Sequence, residues 1–197
     1  MTSLAYIPIA GTGAWSRDGE WERAGSFFDR HLQRQGWTRR ANEFGFWSTA
    51  LTGTFFTASG HATWQFGAYV LRNFLLTLPV EDRILLAHSH GGQVAAYALA
   101  LEPLLPIRAL VTIDVPCRRD MHEVWETGSF AVPLHIHLYG TGLGSAVRWL
   151  GQRGHFARRI STATENLPIK GGHSGILRKA KYVTQIDPIL QRIRDQG

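Results

Sequence analysis

A serine, a histidine and an aspartate stand in three short segments whose local patterns suit nucleophilic chemistry. The serine is Ser89, in Arg83-Ile84-Leu85-Leu86-Ala87-His88-Ser89-His90-Gly91-Gly92-Gln93-Val94-Ala95-Ala96-Tyr97-Ala98. An apolar run ends at a serine with small residues two positions before and after it, and an alanine-rich run follows at once. That is the small-x-Ser-x-small pattern of a nucleophile elbow, a sharp turn between a buried strand and a helix. The spacing has a steric cause: the turn is so tight that a large side chain two residues either side would strike the neighbouring chain. Ala87 stands where glycine is more usual, while Gly91 and Gly92 keep the other side open. The competing account is an ordinary N-cap serine, a residue favoured at helix starts. Strand, turn and helix signals in one run favour the elbow.

A serine hydroxyl attacks poorly until a base takes its proton, and the base needs a third group to orient it. Among nine histidines the best placed is His173, in Leu167-Pro168-Ile169-Lys170-Gly171-Gly172-His173-Ser174-Gly175-Ile176-Leu177. This glycine-rich loop follows the last expected strand and precedes a helix, so it could reach over the sheet edge to Ser89. A plain loop histidine is the alternative. His88 and His90 flank the serine, but the turn directs their side chains away from its hydroxyl. The backbone N–H of His90 is instead the expected oxyanion donor. His135 and His137 share one face of a strand, a spacing that can bind metal. With no carboxylate or thiolate near them in sequence, buried or rim histidines are the expectation, with no metal and no cofactor. For the third group, Asp114 ends a strand in Val111-Thr112-Ile113-Asp114-Val115-Pro116 and gives the chain order Ser, Asp, His. Its ordinary reading is a turn residue before Val-Pro. Asp120 and Glu126 are the fallbacks, and a Ser-His dyad is the remaining option.

The elements that must position these groups alternate along the chain. Leu4 to Ile9 reads as a first strand ending in Ala10-Gly11-Thr12-Gly13. A dinucleotide fingerprint would need a glycine where Ser16 stands, and no Gly-Lys-Ser/Thr phosphate loop follows, so both nucleotide readings fail. The glycine turn could instead supply a second oxyanion N–H, from Thr12, or be a plain turn. Helical spacing runs from Asp18 to Gln35 and from His61 to Leu78, and Glu43 to Trp47 reads as a second strand. After the elbow strand and its helix to about Glu102, strands are expected at Arg108–Ile113, Val132–Tyr139 and Arg158–Thr162. Helices are expected near Ser145–Gly151 and from Ile176 onward, interrupted near Pro188. Strand and helix in alternation predict an α/β chain: a mostly parallel sheet of about six strands, helices on both faces, one domain over residues 1–197 and no cap domain.

Composition excludes several classes. Hydrophobic residues at 44% and charged residues at 18% describe a globular chain. The single cysteine, Cys117, excludes an internal disulfide framework and a four-cysteine zinc site. No apolar run reaches the roughly 20 residues needed to span a bilayer. Met1 to Ala10 has neither a basic start nor a long apolar stretch, so it does not read as a secretory signal and cytoplasmic is the default expectation. A net charge of +6 invites a nucleic-acid reading, but the arginines are scattered in pairs and no recognition motif accompanies them. A mild preference for anionic substrates or surfaces is what remains.

Taken together, Ala10-Gly11-Thr12-Gly13, Ala87-His88-Ser89-His90-Gly91 and Gly172-His173-Ser174-Gly175 resemble an α/β-hydrolase-fold serine esterase, and within that superfamily the small, lidless bacterial lipases. Gln35-Gly36-Trp37-Thr38 followed by Phe46-Trp47 adds to the likeness, which extends to about Leu177. The resemblance implies an ester or lipid substrate, catalysis by Ser89, His173 and Asp114, and oxyanion donors at Thr12 and His90. Trp15, Trp47, Phe55 and Phe56 would line the acyl pocket, or as aromatics belong to the core. Two departures stand out. Ala10 replaces a histidine usual in such lipases, and the acid usual after the strand Val132–Tyr139 is missing, since Tyr139-Gly140-Thr141-Gly142-Leu143-Gly144 carries none and none follows before Glu165. The missing acid leaves a catalytically silent binding module as a rival, and thioester or amide cleavage on the same scaffold is a third reading.

Overall fold

Ile84–His88 and Ala109–Ile113 are buried along their whole length, as expected of strands covered on both faces. The computed structural model describes residues 4–9, 26–40, 60–117, 122–127, 132–142, 155–156, 159–173 and 175–196. The described elements are β1 (Leu4–Ile9), α1 (Phe27–Arg34), β2 (Trp37–Arg39), α2 (Gly60–Thr77), β3 (Ile84–His88), α3 (Gly91–Leu101) and β4 (Ala109–Ile113). They continue as β5 (Pro116–Cys117), α4 (His122–Thr127), β6 (His135–Gly140), β7 (His155–Phe156), β8 (Glu165–Ile169), α5 (Ala180–Val183) and α6 (Asp187–Asp195). Six strands form one parallel sheet in the order β2-β1-β3-β4-β6-β8. β5 and β7 make a separate antiparallel pair. The chain is therefore of the α/β class.

Side chains alternate across a strand, so each buried strand feeds two cores. Ile7, Ile9, Leu85, Ala87 and Leu110 pack on one side with Leu71 and Leu75 of α2 and Val94 and Leu99 of α3. Tyr6, Ile84, Leu86, Val111 and Ile113 face the other side, with Phe28 and Leu32 of α1 and Ile189 and Ile193 of α6. Polar ties fix the second layer. The Tyr6 hydroxyl donates to Asp29 Oδ1, Arg39 Nη1 lies 3.5 Å from the same oxygen, and Gln33 Nε2 donates to Oδ2 at 3.0 Å. Burial and the Asp29 carboxylate push the Tyr6 hydroxyl well above its ordinary pKa, so it stays a donor. His31 Nε2 meets Asp187 Oδ1 at 2.6 Å and joins α1 to α6.

One expectation needs correction. The expected strand Arg158–Thr162 does not form: Ser161 and Thr162 are in a turn, and Ile160 N–H donates to Asn166 Oδ1 at 2.7 Å. The sixth strand of the sheet is β8, whose Pro168 is tolerated because β8 lies at the sheet edge. The three-residue β2, anchored by buried Trp37 under the Arg194 guanidinium, was not expected; the expected strand Glu43–Trp47 lies outside the described residues. The helical stretch near the end of the chain is interrupted close to Pro188, as expected. A 3₁₀ turn at Thr184–Ile186 separates α5 from α6, and Pro188 sits in the first turn of α6, where its missing N–H leaves no bond unmade. Part of the expected Asp18–Gln35 helix and all of Ser145–Gly151 also lie outside the described residues. None of the described helices is long and apolar enough to cross a membrane.

The elbow helix is held close to the end of β4 by a glycine. A Cβ on Gly92 would stand 2.3 Å from Cγ2 and 2.8 Å from Cγ1 of the fully buried Val115. Alanine is favoured over glycine in a helix by about 1 kcal/mol, so any net loss isolates the steric cost. Gly92→Ala is expected to destabilise the protein by about 1–3 kcal/mol, seen as a lower urea midpoint. Adding Val115→Ala should restore part of it; an unchanged midpoint in the single variant contradicts the packing.

Candidate active site

Parallel strands all end on the same side, and the loops there hold the candidate residues. β3 runs into Ser89, whose φ of 52° puts a non-glycine residue in the left-handed region. Its N–H donates to Ile113 O at 3.0 Å, continuing the β3–β4 ladder one residue past the strand. α3 begins two residues later, with Gly92 N–H bonded back to Ser89 O at 3.0 Å. Strand, strained turn and helix follow in the order the elbow pattern predicts.

β4 ends the same way. Asp114 has φ 47°, and its N–H donates to Leu138 O of β6 at 2.7 Å. The carboxylate is fully buried. Oδ1 accepts the Gly140 N–H at 2.9 Å, and Oδ2 lies 2.7 Å from His173 Nδ1. A buried carboxylate requires such partners, since an unpaired one is costly to desolvate.

His173 arrives from β8 on the glycine loop. Gly171 has φ 128° and its carbonyl accepts the Gly142 N–H at 2.8 Å. A Cβ on Gly142 would lie 2.5 Å from Gly171 C and Gly172 N, backbone atoms that cannot yield. The loop therefore lies flat across the end of β6. From there His173 Nε2 reaches Ser89 Oγ at 2.9 Å. With Nδ1–H given to the carboxylate, Nε2 is left to accept the serine hydroxyl proton. Chemically, the arrangement can pass a proton from Ser89 to His173 while Asp114 stabilises the resulting imidazolium.

Ser89, His173 and Asp114 thus meet. Of the fallback acids, exposed Glu126 accepts the Ser161 hydroxyl, and Asp120 lies outside the described residues. His90 follows Ser89 in the turn, its side chain buried. Thr12, Trp15, Trp47, Phe55 and Phe56 lie outside the described residues. His135 and His137 are buried, and both rings meet Thr112 Oγ1, at 3.1 and 2.9 Å. Among the described residues no group of three or more His, Cys, Asp and Glu could hold a metal ion.

Two contributors were not visible as such in the sequence. The Gly140 N–H anchors the acid from a strand end that carries no acid of its own. The His88 ring stacks on His173 with centroids 4.6 Å apart, and its Nε2 lies 3.1 Å from His173 O. Its position beside Ser89 was the only signal. No protein-family model matches the chain, and no curated protein does.

Two buried histidines give the fold a pH dependence. Burial lowers His88 from its ordinary 6.5 to about 4; nearby Asp114 raises it and Arg178 lowers it, both less than burial. Burial, then the His137 charge, lowers His135 from 6.5 to about 3. The unfolded chain takes up these protons near pH 6.5 while the folded chain refuses them. Stability is thus fully present above pH 6.5 and falls as the pH drops toward 4. The slope contributed is at most about 1.4 kcal/mol per pH unit for each histidine. Urea midpoints should decline between pH 7 and 5, above the range where most carboxylates titrate, and His135→Gln should make that decline shallower. A slope unaffected by the substitution would contradict the assignment.

Proposed function

We propose that the protein is a serine hydrolase that cleaves carboxylic esters, an esterase or short-chain lipase working through an acyl-enzyme on Ser89. The contacts that carry this reading are Ser89 Oγ to His173 Nε2 at 2.9 Å and His173 Nδ1 to Asp114 Oδ2 at 2.7 Å. Their setting supports it: a non-glycine residue at φ 52° between a buried strand and a helix, at the carboxyl edge of a parallel sheet. On this reading the chain is a single α/β-hydrolase domain over residues 1–197 without a cap, similar to the small lidless bacterial lipases.

Ser89 Oγ attacks the acyl carbonyl as His173 Nε2 takes its proton. The oxyanion that forms is held by the backbone N–H groups of Thr12 and His90, an interaction typically contributing about 3–4 kcal/mol per donor. The tetrahedral species collapses, and the imidazolium returns the proton to the departing alkoxide. Water then repeats the sequence on the acyl-enzyme, releasing the acid. Trp15, Trp47, Phe55 and Phe56 furnish the acyl pocket. The rival reading, a silent binding module, rests on the acid missing after β6; the Asp114 contact to His173 supports the hydrolase reading over it.

Purified protein should hydrolyse p-nitrophenyl acetate or butyrate and react with a fluorophosphonate at Ser89. Ser89→Ala should abolish both; equal turnover by that variant would sink the proposal. Asp114→Asn should lower kcat by about 10⁴-fold while the protein remains folded. Loss of only a few-fold would point to a dyad. Activity should fall as pH drops through roughly 6 to 7, where imidazole ordinarily titrates and the base becomes protonated. A flat profile across that range would exclude an imidazole base.

A further inference from the structure

A base that must reach a hydroxyl to within a few tenths of an ångström sits here on a loop with glycines at 171, 172 and 175. Such a loop has little stiffness of its own, since glycine restricts φ and ψ least. Asp114 holds the imidazole at Nδ1. With Ser89 Oγ at Nε2, both ring nitrogens are held. These two contacts act along the line through the nitrogens. They bear neither on the tilt of the ring about that line nor on the backbone carbonyl of residue 173.

His88 bears on both the ring face and the carbonyl. Its side chain is buried, with 5% of the residue exposed. Its Nε2 lies 3.1 Å from the backbone carbonyl oxygen of His173. A carbonyl only accepts, so the proton of this imidazole is on Nε2 and the bond runs from His88 to His173. The two rings are also stacked, 4.6 Å between centroids and 26° apart in plane. Burial, which lowers the His88 pKa to about 4, keeps the ring neutral, so it can lie against an imidazole that becomes cationic in the reaction without like-charge repulsion.

We infer that His88 is the positioning residue of the base: its Nε2–H fixes the backbone of His173 and its ring fixes the plane of the His173 imidazole. Because His88 and Ser89 are adjacent, the clamp ties base and nucleophile to one strand end. A displacement of the elbow carries both partners with it. This inference rests on the serine hydrolase reading. Misplacing a catalytic group by about an ångström can cost about 10²-fold in rate, which is the scale on which the clamp acts.

Three variants separate its parts. His88→Gln keeps an N–H donor near the Nε2 position, His88→Phe keeps the ring, and His88→Leu keeps neither. With p-nitrophenyl acetate, His88→Leu should lose about 10–100-fold in kcat with KM changed less than about 2-fold. Gln and Phe should each recover part of the loss, and fluorophosphonate labelling of Ser89 should follow the same ranking. Recovery that instead tracks the Tm of the three variants would mean a merely structural role and overturn the inference. A rise in KM at constant kcat would overturn it too. Should the Leu variant fail to fold, imidazole ¹⁵N spectra of the unaltered protein at pH 7 still decide. The Nε2–H tautomer of His88, with a ring-current shift on the His173 ring protons, is the expected signature, and an Nδ1–H tautomer overturns the clamp. No labelling of the unaltered protein overturns the hydrolase reading, and this one with it. Equal labelling of all four proteins overturns only the role of His88.

Discussion

The structure around the site depends on one buried carboxylate. Asp114 is shielded from solvent, so its charge must be met by donors that the fold supplies. One oxygen takes the Gly140 N–H at the end of β6 and the other faces the imidazole of His173, which comes from beyond β8. A group at the end of β4 thereby joins the ends of two further strands. Its oxygens point in directions set by the sheet and not by a flexible loop. The imidazole accordingly has one orientation in which Nδ1 meets the carboxylate, and in that orientation Nε2 faces Ser89.

The same backbone device occurs twice. Ser89 and Asp114 follow neighbouring strands, both with left-handed φ, 52° and 47°. Each such residue costs of the order of 1–3 kcal/mol, and such strain persists only where surrounding contacts over-determine it. Here the contacts are ladder bonds, Ser89 N–H to Ile113 O and Asp114 N–H to Leu138 O. Each strained residue is held by the last turn of pairing to the next strand along, so the hydroxyl and the carboxylate are referenced to one rigid sheet. Gly92 against Val115 then fixes the distance of the elbow helix from the end of β4. The strain and the close packing act in one direction: both keep the serine at the edge of the sheet instead of letting it relax into α3.

Much of this was legible because buried parallel strands and amphipathic helices leave strong local patterns. The elbow, the order of most elements and the loop of His173 could be read from runs of apolar residues and from glycines. The failures occurred where long-range pairing overrode local composition. Glu165-Asn166-Leu167-Pro168-Ile169 reads as a loop by propensity, yet it pairs with β6 because an edge strand tolerates both a proline and half-solvated polar residues. Trp37–Arg39 is too short for any periodicity to register, and it exists through pairing to β1 and the burial of Trp37. His88 was directed away from the serine hydroxyl in the sequence reading. What that reading could not supply is what the ring turns toward, since its partner lies 85 residues on.

The absence of an acid after β6 also has a structural reason. In the order β3-β4-β6-β8, the loop of His173 starts three strand spacings from Ser89, roughly 14 Å at about 4.8 Å each. The loop must therefore cross the ends of β6 and β4 to bring His173 over Ser89. It crosses β6 at Gly142, so closely that even a methyl group there would collide with the backbone of Gly171 and Gly172. Side chains on the crossing path would lift the loop and withdraw the imidazole. With the crossing kept clear at Gly142, the carboxylate that meets His173 stands at the end of β4, the next strand toward Ser89. Gly140 contributes through its backbone, donating to the carboxylate at the end of the neighbouring strand. The glycine at 142 and the Asp114–His173 contact thus both belong to one crossing.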